Sequence, residues 1–250
     1  MIYQGYITYG GTQYMVLSNP NNPGIPDDAY LFSVGPSSVP ALNDNINNFS
    51  VTQSNSAFCF LTGTRISTPQ GAVAVENLNV GDEVTCADGT TTRVFWVGKK
   101  TTTSVFTSVD NLPVEIAAGA LGQNIPQQAL RVMPAHAVLI DNTLVVAGQL
   151  VNGASIRRLS PNELGETFTY YAVETEGHSV ILAEGVPVES KGNFKGNSEA
   201  FDNWDEYVRL YGEHGRDYLL LPYERIRMID ELPTHIYSRI NALVAQKKVA

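Results

Sequence analysis

The chain has 250 residues, enough for one or two domains with a sizeable core, and 43% are hydrophobic, an ordinary globular share. Lys and Arg number 16 against 25 Asp and Glu, a formal net charge of -9, and the nearest candidates for a basic patch, the pairs Lys99-Lys100 and Lys247-Lys248, are both short. That balance repels phosphate backbones, so no nucleic-acid partner is expected. No stretch has the length of a transmembrane helix, and Met1 to Tyr6 shows neither a basic n-region nor an apolar h-region. The expectation is therefore no transmembrane segment, no Sec signal, and a location in the cytoplasm or outside by a non-classical route.

Residues 1 to 58 are rich in Tyr, Asn, Pro and Ser. Ile2 to Tyr9 and Gln13 to Leu17 flank Gly10-Gly11 and predict a hairpin. Asn19-Pro20-Asn21-Asn22-Pro23-Gly24 predicts a loop, because clustered Asn, Pro and Gly do not sustain a ladder. Asn43 to Ser56 is polar and reads as a linker running up to Phe58-Cys59.

Residues 59 to 190 change character. Short β-branched runs recur between turn signals at Pro69-Gln70-Gly71, Val80-Gly81-Asp82, Ala87-Asp88-Gly89, Asp141-Asn142 and Asn152-Gly153. Many short strands at such spacing predict an all-β domain. Asp88-Gly89, between Val84-Thr85-Cys86 and Arg93-Val94-Phe95-Trp96, predicts a two-residue hairpin. Asp82 reads as a turn residue and Cys86 as core.

Residues 191 to 250 predict a small helical extension. Trp204, Tyr207, Val208 and Tyr211 stand three and four apart, as on one helix face, and read as packing residues. Ile226, Ile229 and Asp230 read as a helical run from Tyr223 that Pro233 breaks. Thr234 suits the cap of a last helix carrying Ile236, Ile240 and Leu243. His214 and His235 have no partners at metal-ligand spacing and take surface or helix roles by default.

One ordered set of motifs carries chemistry. It opens with Cys59-Phe60-Leu61-Thr62-Gly63-Thr64-Arg65-Ile66-Ser67-Thr68-Pro69-Gln70-Gly71 and continues through Val75-Glu76-Asn77-Leu78 and Gly81-Asp82-Glu83-Val84 to Arg93-Val94-Phe95-Trp96-Val97-Gly98. Its second half holds Met133-Pro134-Ala135-His136-Ala137-Val138. The close runs from Tyr170-Tyr171-Ala172-Val173-Glu174 through His178 to Ala183-Glu184-Gly185-Val186-Pro187-Val188-Glu189-Ser190. This series resembles the Hint (Hedgehog/intein) domain family, in its bacterial branch, over roughly half the chain and at both ends of the domain.

The resemblance implies an all-β Hint fold over 59 to 190, preceded by a short β segment and linker in the place of an extein and followed by the helical extension. It implies a flattened, pseudo-two-fold assembly whose ends meet at the nucleophile. It also implies single-turnover, splicing-like autoprocessing with the chain's own N-terminal segment as substrate. Cys59 would attack the carbonyl of Phe58 to give a thioester, and water or another nucleophile would accept the acyl group. His136 would serve the leaving amine, since imidazole can hold and release a proton near neutral pH. His178 could assist capture of the thioester. No metal or cofactor is needed.

Two positions depart from the family pattern. The hydroxyl residue that opens the Thr-x-x-His block is here Met133, which offers no useful donor, and loss of one such donor typically costs about 100- to 1,000-fold. The His-Asn pair of inteins is here Glu189-Ser190, and Ser cannot cyclise, so the C-terminal cut of splicing is expected to be missing. Asn193 lies nearby but off register. The alternatives are a Hint-fold binding or structural module without the reaction, for which Met133 speaks, and a cysteine peptidase acting on other proteins. Cys59 and His136 also admit the plainer reading of buried core residues.

Overall fold

The computed structural model describes residues 2–9, 12–18, 30–33, 58–104, 107–192, 198–213 and 221–247. The loop at Asn19 to Gly24, the linker at Asn43 to Ser56, Asn193 and His214 lie outside these residues. The chain divides into two compact units, Met1–Ser54 and Asn55–Ala250, each taken here by itself.

The first unit is a three-stranded antiparallel sheet of β1 (Ile2–Tyr9), β2 (Thr12–Ser18) and β3 (Tyr30–Ser33). The β1–β2 register ends at Tyr9 opposite Thr12, with an irregularity between Tyr3 and Gly5. The third strand is an addition to the sequence reading. Its aromatics Tyr30 and Phe32 suit a ladder, but the strand is only four residues long.

The second unit is built from two seven-stranded sheets. Its strands are β4 (Cys59–Leu61), β5 (Arg65–Thr68), β6 (Gly71–Ala74), β7 (Glu83–Thr85), β8 (Thr91–Thr103), β9 (Val114–Ile116), β10 (Leu130–Val132), β11 (Ala137–Ile140), β12 (Thr143–Val146), β13 (Ile156–Arg158), β14 (Thr167–Thr175), β15 (Val180–Ala183), β16 (Val186–Glu189) and β17 (Glu224–Ile226). One sheet runs β13-β9-β10-β4-β14-β8-β7 and the other β17-β12-β11-β16-β15-β5-β6. The helices are a single turn, α1 (Pro161–Leu164), then α2 (Trp204–Tyr211) and α3 (Thr234–Lys247). Among the described residues no helix is long and apolar enough to cross a membrane.

Strand β4 lies at the middle of its sheet, between β10 and β14. Side chains alternate across a strand, so its three residues part to two faces. Phe60 joins the main core with Ile66, Val132, Val138 and Val188. Cys59 and Leu61 join a second cluster with Trp96, Met133, Phe168, Ala172, Phe201 and Tyr207. Across the sheet Cys59 stands opposite Ala172, and Ala172 opposite Gly98. This row of small residues forms a trough. A Cβ on Gly98 would stand 2.7 Å from Trp96 Cζ3 and 2.9 Å from Phe201 Cδ1, so the bare backbone is what admits the two rings.

The segment after residue 197 is part of this unit. Trp96 meets Phe201 and Tyr207 edge to face, at 5.4 and 5.0 Å between centroids. Asp202 and Asn203 satisfy the edge of β8: Thr101 N–H donates to Asp202 Oδ2, Lys99 N–H to Asn203 Oδ1, and Asn203 Nδ2 to the Val97 carbonyl, at 2.8 to 2.9 Å. Trp204, Tyr207 and Tyr211 lie on α2 as the spacing predicts, and the Tyr211 hydroxyl donates to the Phe95 carbonyl at 2.6 Å. Ile236 and Ile240 of α3 reach the main core.

Three local expectations are corrected. Residues Glu224–Ile226 form β17, parallel to β12, where a helical run was expected; Ile229–Glu231 is one turn of 3-10 helix. The open edge of β12 decides the matter, since a three-residue run carries little helix preference of its own. The hairpin at Asp88-Gly89 has three loop residues instead of two. Cys86 N–H bonds the Thr90 carbonyl at 2.8 Å, and Gly89 takes a φ of 84°, as the commonest three-residue loop requires. Helix α3 begins at Thr234 itself, and the carbonyl of Pro233 accepts from Ile236 N–H at 3.0 Å, so Pro233 holds the cap position.

Candidate active site

Cys59 is the first residue of β4 and is fully buried. Its backbone is held from two sides. The Cys59 carbonyl accepts Met133 N–H at 2.9 Å and lies 3.2 Å from His136 Nδ1. Met133 and His136 reach it because residues 133 to 136 connect β10, beside β4, to β11 in the other sheet. The turn between them is tight: His136 N–H donates to the Met133 carbonyl at 3.0 Å.

His136 is also fully buried, and its ring lies 4.4 Å from that of Phe60. Its second nitrogen, Nε2, is 2.9 Å from the Glu189 carbonyl. Both ring nitrogens thus face acceptors, and a neutral imidazole has one N–H to give. The shorter contact assigns that proton to Nε2, which leaves the Nδ1 lone pair beside the Cys59 backbone. Two carbonyls favour the imidazolium, but burial outweighs them and, with the charge of Arg225, lowers the His136 pKa to about 4.

Glu189, the last residue of β16, is buried and completes the frame. Its Oε1 accepts Ala137 N–H and Arg225 Nη1, each at 2.9 Å, and its Oε2 accepts Arg225 Nη2. Burial raises its pKa, against the pull of that guanidinium. Ser190 turns away. Its hydroxyl meets Thr175 Oγ1 at 2.9 Å and accepts Ser179 N–H at 2.8 Å.

The Cys59 thiol points to the other face of the sheet. Desolvation pushes its pKa up to about 12, opposed by a backbone hydrogen bond with Phe58 and by the charge of Lys191. Lys191 is one residue that the sequence reading passed over. It is buried, its Nζ donates to Ser198 Oγ at 2.7 Å, stands 3.4 Å from Glu174 Oε2 and lies 5.9 Å from the Trp96 ring centre. Burial lowers its pKa, and Glu174 opposes the shift. Only its closeness to the closing block could have pointed to it. Arg225 is another, hidden by the expectation of a helix there.

The fold therefore brings together Cys59, Met133, His136 and Glu189, with Phe58 leading into β4. His178 is apart. It sits in the β14–β15 turn with a φ of 49°, beyond Thr175, and Thr175 is already about 10 Å along β14 from Ala172, the residue opposite Cys59. His235 is exposed, 3.4 Å from Asp141. Cys86 is buried and bridges to Ile181, and the Asp82 carboxylate accepts Asn79 N–H in a turn. Among the described residues no group of three His, Cys, Asp or Glu side chains is placed to hold a metal ion.

A model of the Hint domain family matches residues 58–193, from the residue before Cys59 to just past the closing block. The chain belongs to the Hint domain family. Its second unit carries the all-β Hint fold with a small helical extension. Solved structures that resemble it include the MchDnaB-1 intein (21% identity, TM-score 0.38), the DnaB intein of Synechocystis sp. PCC 6803 (13%, 0.37) and a bacterial intein-like domain from Clostridium thermocellum (16%, 0.36). They cover 53%, 53% and 54% of this chain and 99% of their own lengths. No curated protein matches the chain. Hint domains as a class act on their own chains, and the general capacity here is autoprocessing.

Proposed function

We propose that this Hint domain cleaves its own chain at Phe58-Cys59 by an N–S acyl shift. The observation that carries the proposal is the placement of His136 Nδ1, 3.2 Å from the carbonyl oxygen of Cys59, one residue on from the Phe58-Cys59 peptide. Cys59 Sγ attacks the Phe58 carbonyl carbon through a five-membered ring, the C–N bond breaks, and the thiol proton ends on the Cys59 amine. The product is a thioester between the Phe58 acyl group and Cys59 Sγ. Water then adds across that thioester, leaving a carboxylate on Phe58 and a thiol on Cys59, or a nucleophile of another kind takes the acyl group.

His136 supports the amine side of this exchange as acid and base. Met133 contributes a backbone N–H to the Cys59 carbonyl, and its side chain adds only apolar contact. Lys191, which shares the thiol's face, favours the thiolate electrostatically. Glu189 and Ser190 offer no route to C-terminal cleavage. The first is tied to Arg225 and the second to Thr175 and Ser179, so residues after 190 remain joined to the domain.

A second reading has its own support. Full burial of the thiol and the thioether at Met133 fit a Hint fold kept for binding or structure, with the reaction lost. Intact-mass analysis of the full chain incubated with dithiothreitol separates the two. Fragments 1–58 and 59–250, absent in Cys59→Ala, are expected. An uncut chain leaves the second reading, and a free segment beginning near Lys191 would restore C-terminal cleavage.

A further inference from the structure

The proposed shift needs the acyl residue held as well as the amine. Phe58 supplies that acyl group, and its ring lies 5.6 Å from the guanidinium carbon of Arg225. That separation is within the range in which a cation over an aromatic face is attracted by the ring. Arg225 stands on β17, opposite Leu144 of β12, so its backbone is fixed by the sheet. Its guanidinium is fixed as well, forked on both oxygens of Glu189. A fork bonded in its own plane leaves the flat face for the ring, which an ammonium group cannot imitate.

The same Glu189 holds Ala137 N–H through its carboxylate and His136 Nε2 through its carbonyl. One side chain thus contacts the residue on the acyl side of the bond and the residue that brackets the imidazole on the amine side. We propose that Arg225 determines specificity on the acyl side, selecting an aromatic residue at position 58, and that through Glu189 it positions His136. The inference rests on cleavage at Phe58-Cys59, and it assigns the segment after residue 190 a part in the site.

The test is a two-by-two set of rates. Single-turnover cleavage of the full chain in excess thiol is measured for Phe58 and Phe58→Leu, each with Arg225 and with Arg225→Lys. Lys keeps the charge beside Glu189 and loses the fork and the flat face. With Arg225, Phe58→Leu should be slower by about 10-fold and Phe58→Trp nearly unchanged. With Arg225→Lys, the penalty for Leu should shrink to about 3-fold or less. An equal penalty in both backgrounds overturns the proposal, because a merely structural arginine would slow both substrates alike.

A second measurement keeps the contact testable without cleavage. The same set built on Cys59→Ala is followed by thermal unfolding. The midpoint shift caused by Phe58→Leu should be larger with Arg225 than with Arg225→Lys, and equal shifts overturn the contact. A wild-type chain that never cleaves refutes the reaction on which the specificity rests, while the unfolding set still decides the contact between Arg225 and Phe58.

Discussion

The two faces of strand β4 handle the same problem, burial of a titratable group, in different ways. On one face Cys59 belongs to a cluster with Trp96, Met133, Ala172, Phe201 and Tyr207, with the charge of Lys191 on the same side. On the other, His136 packs on Phe60 and is framed by the carbonyls of Cys59 and Glu189. Burial disfavours the thiolate against a backbone hydrogen bond with Phe58 and the charge of Lys191, and it disfavours the imidazolium against the two carbonyls. Both groups therefore rest neutral near pH 7. The proposed reaction then moves a proton from the apolar face to the polar edge, and within that proposal ionising the thiol is the costlier step.

The comparison can be broken most severely with pH. If the thiolate is the scarce species, the cleavage rate at saturating thiol should rise about 10-fold per pH unit from pH 7 to pH 9, about 100-fold in all, because the thiol ionises only near 12. A flat profile, measured where the rate no longer depends on thiol concentration, would mean that the barrier lies elsewhere.

The thiol face can also be altered directly. Met133→Thr places a hydroxyl in the apolar cluster and should speed cleavage by about 10-fold if it reaches the scissile peptide. The cost is lost packing of a buried methionine, about 2 kcal/mol by denaturant unfolding. A stable variant with unchanged rate would show that the Met133 N–H already meets the need.

The polar edge makes a smaller prediction, on stability. His136 has a folded-state pKa near 4, below the ordinary 6.5, so between those values the unfolded chain binds the proton and the folded chain does not. Stability is fully present above pH 6.5 and falls as pH drops toward 4, by about 3 kcal/mol at most. His136→Gln in the Cys59→Ala background should flatten that part of the curve. An unflattened curve would assign the acid sensitivity to the other buried groups.

The sequence made some of this legible and hid the rest for physical reasons. Alternating short runs and turn residues revealed the β domain, and the three- and four-residue spacing of Trp204, Tyr207 and Tyr211 revealed α2. The motif order puts Cys59 and His136 forward together, and the fold sets His136 Nδ1 3.2 Å from the Cys59 carbonyl oxygen. The strand at Glu224–Ile226 was hidden because three residues carry no readable period, and the edge of β12 supplies the preference. Lys191 gives no local sign of burial, since its partners Glu174 and Ser198 come from a strand and from beyond the closing block. The Arg225–Phe58 contact joins the two ends of the domain, a distance in sequence that only the sheet order closes.

That sheet order has a consequence in time. Synthesis runs from the N-terminus, so Cys59 leaves the ribosome well before Phe201 and Tyr207, which share its cluster, and before the β17 edge that carries Arg225. Cys59 is made early and its setting is finished late. Any reaction that needs the finished setting must wait until translation has passed Ile226, and the full core until it has passed Ile240.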